Sequence, residues 1–375
     1  MHGLKNAWMR LGNEACAFRL LSERLSGLSK RKVEPVSATC GGPIRFAIPV
    51  LLLLSGCPAS DDADTGDGTS GTDEPVVIYD CDAVPIAPTQ TRLIAGARAY
   101  HGLAFDSAGR LVGSDGNALI RTQADGTSEV WIPGLGELEQ IVFLPTGELV
   151  VSSAENGGLW KLSEQGGREI LVGDHFAYGV VLGPNGKLYT SGRQGISRVD
   201  PEDGTVETLA DESDVQNNEP HAIGFGLNND RLYAGVITFA EEGTEEQGAP
   251  VFEWSVDSSG GFSVGPSVLV PALGGGWHDT MGVDACGNLY IADFWTTTLY
   301  RVTPTGGVTS LVNWEDPFGT ESGTSDYGHA LLWGSGADGW REDALYLSMP
   351  FNGNQVQEIV VGIPGKDWGG DVLNR

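Results

Sequence analysis

The sequence predicts an all-β fold, a six-bladed β-propeller of four-stranded antiparallel blades closed by strands from both termini. Three observations carry this. A unit of short apolar alternations bounded by Gly, Pro, Asn and Asp recurs six times, led by His101, Glu139, Tyr178, His221, Asp279 and His329. In copies one, two, three and five the lead residue and the turn glycine keep one spacing, His101 to Gly109, Glu139 to Gly147, Tyr178 to Gly186 and Asp279 to Gly287. Finally, 55 of 375 residues are glycine, which suits a fold made mostly of tight turns.

Copy five shows the unit best. Thr280–Val283 is apolar and ends in an Asp-x-x-Gly turn at Asp284–Gly287; Asn288–Ala292 and Thr298–Val302 follow as second and third strands. Copy four has one extra turn residue, and its third strand falls at Val251–Val256. Copy six runs His329–Ile359 with a longer first turn, Gly334–Asp343. Fourth strands are the weaker runs Thr127–Ile132, Glu169–Val172, Thr205–Leu209, Ser263–Val270 and Val308–Val312. No such run follows copy six, so Thr91–Ala95 is expected to supply its fourth strand and close the ring. A lone meander does not bury both faces, so the units must stack round an axis.

Residues 1–57 stand apart as a leader. Lys30, Arg31, Lys32 and Arg45 precede the apolar run Phe46–Leu54, which ends in Leu54-Ser55-Gly56-Cys57. A basic region, a short apolar region and small residues form a secretory signal, too short for a membrane span. The ending resembles the lipobox of bacterial lipoproteins, which implies lipid on Cys57, membrane attachment and a place in the cell envelope; Pro58 after the cysteine favours the outer membrane. Residues 58–75 hold several carboxylates and no large apolar side chain, as a solvated tether does. Residues 76–375 form the propeller domain.

The net charge is −28. Residues 1–56 hold 8 of the 22 basic and 3 of the 50 acidic side chains, so the exported chain is more acidic still. That charge repels nucleic acid and anionic headgroups and keeps an exported monomer soluble. Cys81 and Cys286 remain after the leader and Cys57, an even pair that an oxidising compartment permits to bond.

The six lead residues begin the innermost strands and therefore ring one mouth of the central channel. They read His101, Glu139, Tyr178, His221, Asp279, His329. The domain's other two histidines, His175 and His278, lie within three residues before a ring position. Imidazole nitrogen and carboxylate oxygen converging on one point suit a divalent metal, and histidine in number favours Zn, Fe or Cu. His101, His221, His329 and Asp279 are the expected ligands, with Glu139 or Asp279 as base and Tyr178 as proton donor. A channel whose polar residues bind only water is the structural alternative. Loops between second and third strands open on the same face and offer Asp115, Asn117, Asn156, Arg193, Trp295 and Asn352 as lining for a small molecule or glycan. Trp277 and Trp314, on the long joins between blades, are candidates to roof the mouth.

The repeated form is clearest at Gly282–Asp293, and it resembles the regucalcin and gluconolactonase family, six-bladed propellers with a divalent cation in the channel mouth, and more broadly the NHL propellers. The resemblance covers residues 90–362 and implies calcium and lactone hydrolysis. Asp279 matches the family's metal-binding aspartate. His221 stands where the family has asparagine, Ala177-Tyr178-Gly179 replaces an Asn-Asp-Gly element, and Tyr100-His101-Gly102 lacks the family's glutamate. A histidine-rich centre is similar instead to propeller lyases with a zinc on three histidines. A metal-dependent hydrolase or lyase, a ligand- or protein-binding propeller and a docking scaffold of the envelope are the readings left open.

Overall fold

The structure, a computed structural model, describes residues 78–153, 157–238, 248–314, 328–350, 353–367 and 372–373. Cys57, Asn156 and Asn352 lie outside the described residues, as do the leader and tether.

Six four-stranded antiparallel sheets follow one another along the chain. Blade one uses Leu103–Phe105, Leu111–Ser114, Ala118–Thr122 and Ser128–Pro133. Blade two uses Leu138–Phe143, Leu149–Ser153, Gly158–Leu162 and Arg168–Gly173, and blade three Gly179–Leu182, Leu188–Gly192, Gly195–Val199 and Val206–Ala210. Blade four has Glu219–Phe225, Arg231–Ile237, Ala249–Ser255 and Ser267–Leu273. Blade five has His278–Val283, Leu289–Asp293, Thr298–Val302 and Val308–Asn313. Blade six takes Leu331–Trp333, Ala344–Met349 and Gln355–Val360 from the C-terminal side, and Gln90–Leu93 from the N-terminal side as its outer strand. Inner strands of successive blades touch all the way round, blade six back to blade one. The fold class and the two-terminus closure expected from the repeat are therefore present, with the closing strand one residue earlier than Thr91.

The repeat builds its own core. Leu111, Leu149, Leu188, Leu232, Leu289 and Leu345 hold one register position on the second strands, and all are buried between blades. Truncating any one to alanine costs about 2–5 kcal/mol, because the stacked blades collapse little. The closure is pinned by a buried carboxylate. Glu358 on blade six accepts two bonds from the Arg92 guanidinium, at 2.6 and 3.0 Å, and one from the Tyr346 hydroxyl at 2.6 Å.

The face away from the lead residues is strapped by the N-terminal segment. Cys81 and Cys286 form a disulfide, their Cα atoms 5.5 Å apart, which ties residues 79–83 to the first turn of blade five. Tyr79 donates to Glu342 at 2.8 Å, and Arg301 donates to the Pro85 carbonyl at 2.6 Å.

Candidate functional site at the channel mouth

The six lead residues meet. Glu139 bonds His101 Nδ1, His101 stacks on His329, His329 Nε2 lies 3.4 Å from Asp279 Oδ2, Asp279 borders His221, and His221 stacks on Tyr178. Five contacts thus join all six positions into an open ring. All six side chains are buried.

Backbone irregularity aims them. In blades two, four and five the first-to-second strand pairing slips by one residue at Leu138/Gln140, Pro220/Ile223 and His278/Thr280. The residues in the slips include Glu139, His221 and Asp279. An extra residue at the head of an inner strand bends the strand and redirects one side chain, here toward the axis. A buried hydroxyl then ties neighbouring blades together. Ser152 donates to the Ala177 carbonyl, and Ser191 to the His221 carbonyl while accepting from Gly179 N–H at 3.1 Å.

The electrostatics keep His221 and His329 neutral. Burial, then repulsion from His101 and His278, pushes the His221 imidazole down to about 3. Burial likewise holds His329 well below the usual range, helped by His101 and His221. His221 Nδ1 faces the Asp279 carbonyl at 3.3 Å; a carbonyl only accepts, so Nδ1 carries the proton. Its Nε2 is left as a bare lone pair, buried and with no hydrogen-bond partner. His101 is oriented in the same sense, since Glu139 accepts from Nδ1.

This tests the residues against a metal. A ligating histidine gives its second ring nitrogen to a carbonyl or carboxylate and keeps the first for the ion, and His221 does both. The 3.4 Å between His329 and Asp279 is also close to the edge of about 3.4 Å expected for a tetrahedron with bonds of about 2.1 Å. Donor chemistry and pairwise spacing fit. Among the described residues, however, no three of His, Cys, Asp and Glu are grouped to hold an ion. The reason lies in the stack: His101 and His329 are parallel within 7°, with centroids 3.7 Å apart, so their in-plane lone pairs run alongside each other and do not converge.

Other expected residues divide. Arg193 is exposed near the mouth, its Nε 3.7 Å from Glu219. Trp295 is 37% exposed and meets Trp277 edge-on at 5.8 Å. Trp277 in turn meets the His221 ring at 6.2 Å, so this join does approach the site. Asp115 turns back on its own loop, accepting from Asn117 and Ala118 N–H. Asn117 is exposed and receives Leu135 N–H on its carbonyl. Trp314 packs between blades five and six, donating to Gln357 at 2.9 Å. His175 is tied to Thr190 at 2.9 Å, and His278 to the Leu273 carbonyl at 3.1 Å, both outside the ring of contacts.

Glu219 was not expected. It lies two residues before His221 and is mostly buried, and burial raises its carboxyl above the ordinary range. The neighbouring Arg193 and Tyr178 act against that rise. Its sequence signal was the odd Asn-Glu-Pro-His run of copy four, with an acid and a proline just ahead of the lead residue.

With this geometry in hand, solved structures identify the architecture. A gluconolactonase from Xanthomonas campestris superposes with TM-score 0.56 at 13% identity, over 73% of this chain and 89% of that one. A calcium-binding protein, regucalcin, from Agrobacterium tumefaciens gives TM-score 0.56 at 13% identity, over 80% and 100%. This is the gluconolactonase and regucalcin propeller fold. An auxiliary nutrient binding protein from Bacteroides thetaiotaomicron shares the gluconolactonase-type propeller less closely, with TM-score 0.51 at 14% identity over 71% and 69%. No family model and no curated protein matches the chain. At these identities the likeness is one of fold, and the chemistry rests on the mouth.

Proposed function

We propose that the channel mouth is the site of a metal-dependent hydrolase or lyase, lactonase- or esterase-like in substrate. The observation that carries this is His221, whose buried, neutral imidazole has Nδ1 committed to a carbonyl and Nε2 without a partner. The gluconolactonase among the fold neighbours and the calcium-binding regucalcin support the reading. We further propose that the protein is a lipoprotein, held through lipid on Cys57 in the bacterial envelope at the outer membrane.

His221, Asp279, His329 and His101 are the side chains that would hold an ion, with the stacked His101 and His329 rings turned to converge on it. Such an ion supplies Lewis acidity and lowers the pKa of bound water. The chain does the rest. Glu139 fixes the tautomer of His101 and can receive a proton through its Nδ1. Asp279 stands between His221 and His329, 3.9 Å from the Nδ1 of the one and 3.4 Å from the Nε2 of the other. Tyr178 covers one face of His221. Trp277 and Trp295 wall the blade-five side, where an apolar or flat substrate face can rest.

A second reading follows from that wall and from the nutrient-binding neighbour: capture of a small molecule or glycan without turnover. Elemental analysis of the full chain, purified without added metal, tests the first reading beside a His221→Ala, His329→Ala double variant. Near-stoichiometric Zn, Fe, Cu or Ca that is lost in the variant, together with turnover of simple lactones or esters, supports it. Metal without turnover moves the protein to the binding reading. No metal in either chain overturns the metal-dependent function.

A further inference from the structure

The join between blades one and two is short and sharply bent. Gly134 and Gly136 both take the left-handed backbone, with φ of 67° and 73°, a conformation glycine adopts without steric cost. Leu135, between them, gives its N–H to the Asn117 carbonyl at 2.9 Å. Arg168, at the start of the outer strand of blade two, also holds the join. Its Nη1 donates to the Gly134 carbonyl at 2.7 Å and its Nη2 to the Pro133 carbonyl at 2.5 Å. The join so fixed borders a cavity of about 250 Å³. Leu135, Leu138, Val151 and the half-buried Trp160 form its apolar wall, and Ser153 and Arg168 are its polar members. Among the described residues no carboxylate lines it.

Arg168 is the unusual part. The net charge is −28, and the arginines of the blades mostly answer an acid: Arg92 pairs with Glu358, Arg110 with Asp106, Arg198 with Glu207, Arg231 with Glu253 and Arg341 with Asp343. Arg168 instead spends its bonds on two backbone carbonyls and, among the described residues, pairs with no carboxylate. A guanidinium has five N–H donors, so three remain on a side chain that is already fixed in place. A planar cation with free donors matches the two oxygens of a carboxylate, and holding it beforehand lowers the entropy lost on binding.

We propose that this cavity binds a small organic monocarboxylate, its oxygens on Arg168 and its apolar body against Trp160 and Leu138. The volume lies below the roughly 300 Å³ at which drug-sized sites begin, so the ligand is a single ring or a short chain. Phosphate or sulfate would meet the cation but leave the apolar wall uncovered. The site needs no metal and stands apart from the reading of the mouth. Leu138 directly precedes Glu139, so an occupant also abuts the slipped strand head of blade two.

The test is titration of the full chain with benzoate, followed by calorimetry and tryptophan fluorescence. A single saturable site is expected, with benzamide, alike in shape but uncharged, about 10-fold or more weaker. Arg168→Gln is expected to weaken benzoate by about 10- to 100-fold and to erase its preference over benzamide. Trp160→Leu weakens both compounds alike, since it removes the flat wall and keeps the charge; it reads the site even where Arg168→Gln disturbs the join. Unchanged benzoate affinity in Arg168→Gln overturns the proposal, as does equal affinity for benzoate and benzamide in the unmutated chain. Inorganic phosphate binding as tightly as benzoate overturns the apolar half of it. Loss of benzoate in Arg193→Gln would put the anion at the channel mouth and overturn it too, and so would a chain that binds no benzoate.

Discussion

His101 and His329 lie face to face across the seam where blade six meets blade one, their ring centroids 3.7 Å apart and their planes within 7°. Two buried imidazoles in that arrangement tolerate little positive charge. Burial holds the His329 member of the stack well below the usual imidazole range.

That has a measurable consequence for stability. His329 is held well below the usual imidazole range and His221 is pushed down to about 3, while both protonate near 6.5 in an unfolded chain. Between those limits the unfolded state binds more protons than the native one, so stability falls as pH drops from about 6.5 toward 3. The slope reaches up to about 1.4 kcal/mol per pH unit for each histidine. Urea midpoints of the chelated chain should show it, and His221→Asn should flatten part of it. An unchanged slope in that variant would mean that His221 is hydrated.

Asp279 is the carboxylate that the ring depends on. Its Oδ2 lies 3.4 Å from His329 Nε2 and its Oδ1 3.9 Å from His221 Nδ1. Asp279→Asn keeps the shape and replaces one carboxyl oxygen by an amide nitrogen. It is expected to lower kcat/KM by roughly 100-fold or more on any substrate the chain turns over, with the thermal midpoint little changed. Steady-state kinetics beside calorimetry checks this; loss of fold without a specific loss of rate would count against the assignment.

Much of the molecule was legible because the repeat is strict where the physics is strict. In copies one, two, three and five the lead residue, turn glycine and second-strand leucine keep their spacing, since a slip at the leucine would turn its buried face outward. Blade number, closure and the six ring residues followed from that. The strand-head irregularities were not legible. A one-residue slip at Glu139, His221 or Asp279 has no local signature, yet it decides where each side chain points. The same holds for the stacked histidines, whose parallel planes depend on packing across the seam. The capping by Asp115 was not foreseen either: its carboxylate accepts from the backbone amides of its own tight loop.

The disulfide is a strap on the far face. Cys81 and Cys286 are 205 residues apart in sequence, so their bond closes most of the domain into one loop. Cys286→Ser is expected to cost about 2–4 kcal/mol. Because the strap lies away from the lead residues, Co²⁺ affinity at neutral pH should stay the same. Denaturation and metal titration of the one variant separate the two effects.

Gly235 offers the sharpest link between backbone and site. It sits on the second strand of blade four, opposite the slip that holds His221, and no side chain is tolerated there. A Cβ at this position falls 2.6 Å from the His278 Cβ and 2.9 Å from its Nδ1. His278 is fully buried and bonded to the Leu273 carbonyl, so it yields only by moving its own strand head, which carries Asp279 next in sequence. Gly235→Ala should therefore cost about 1–3 kcal/mol by overpacking. It should also weaken Co²⁺ binding, although the residue touches no donor, because it presses on the two strand heads that supply His221 and Asp279. A variant that is destabilised yet binds Co²⁺ normally would show that blade four and blade five place their donors independently. Joint loss of both would tie the aim of the site to the close approach of these two blades.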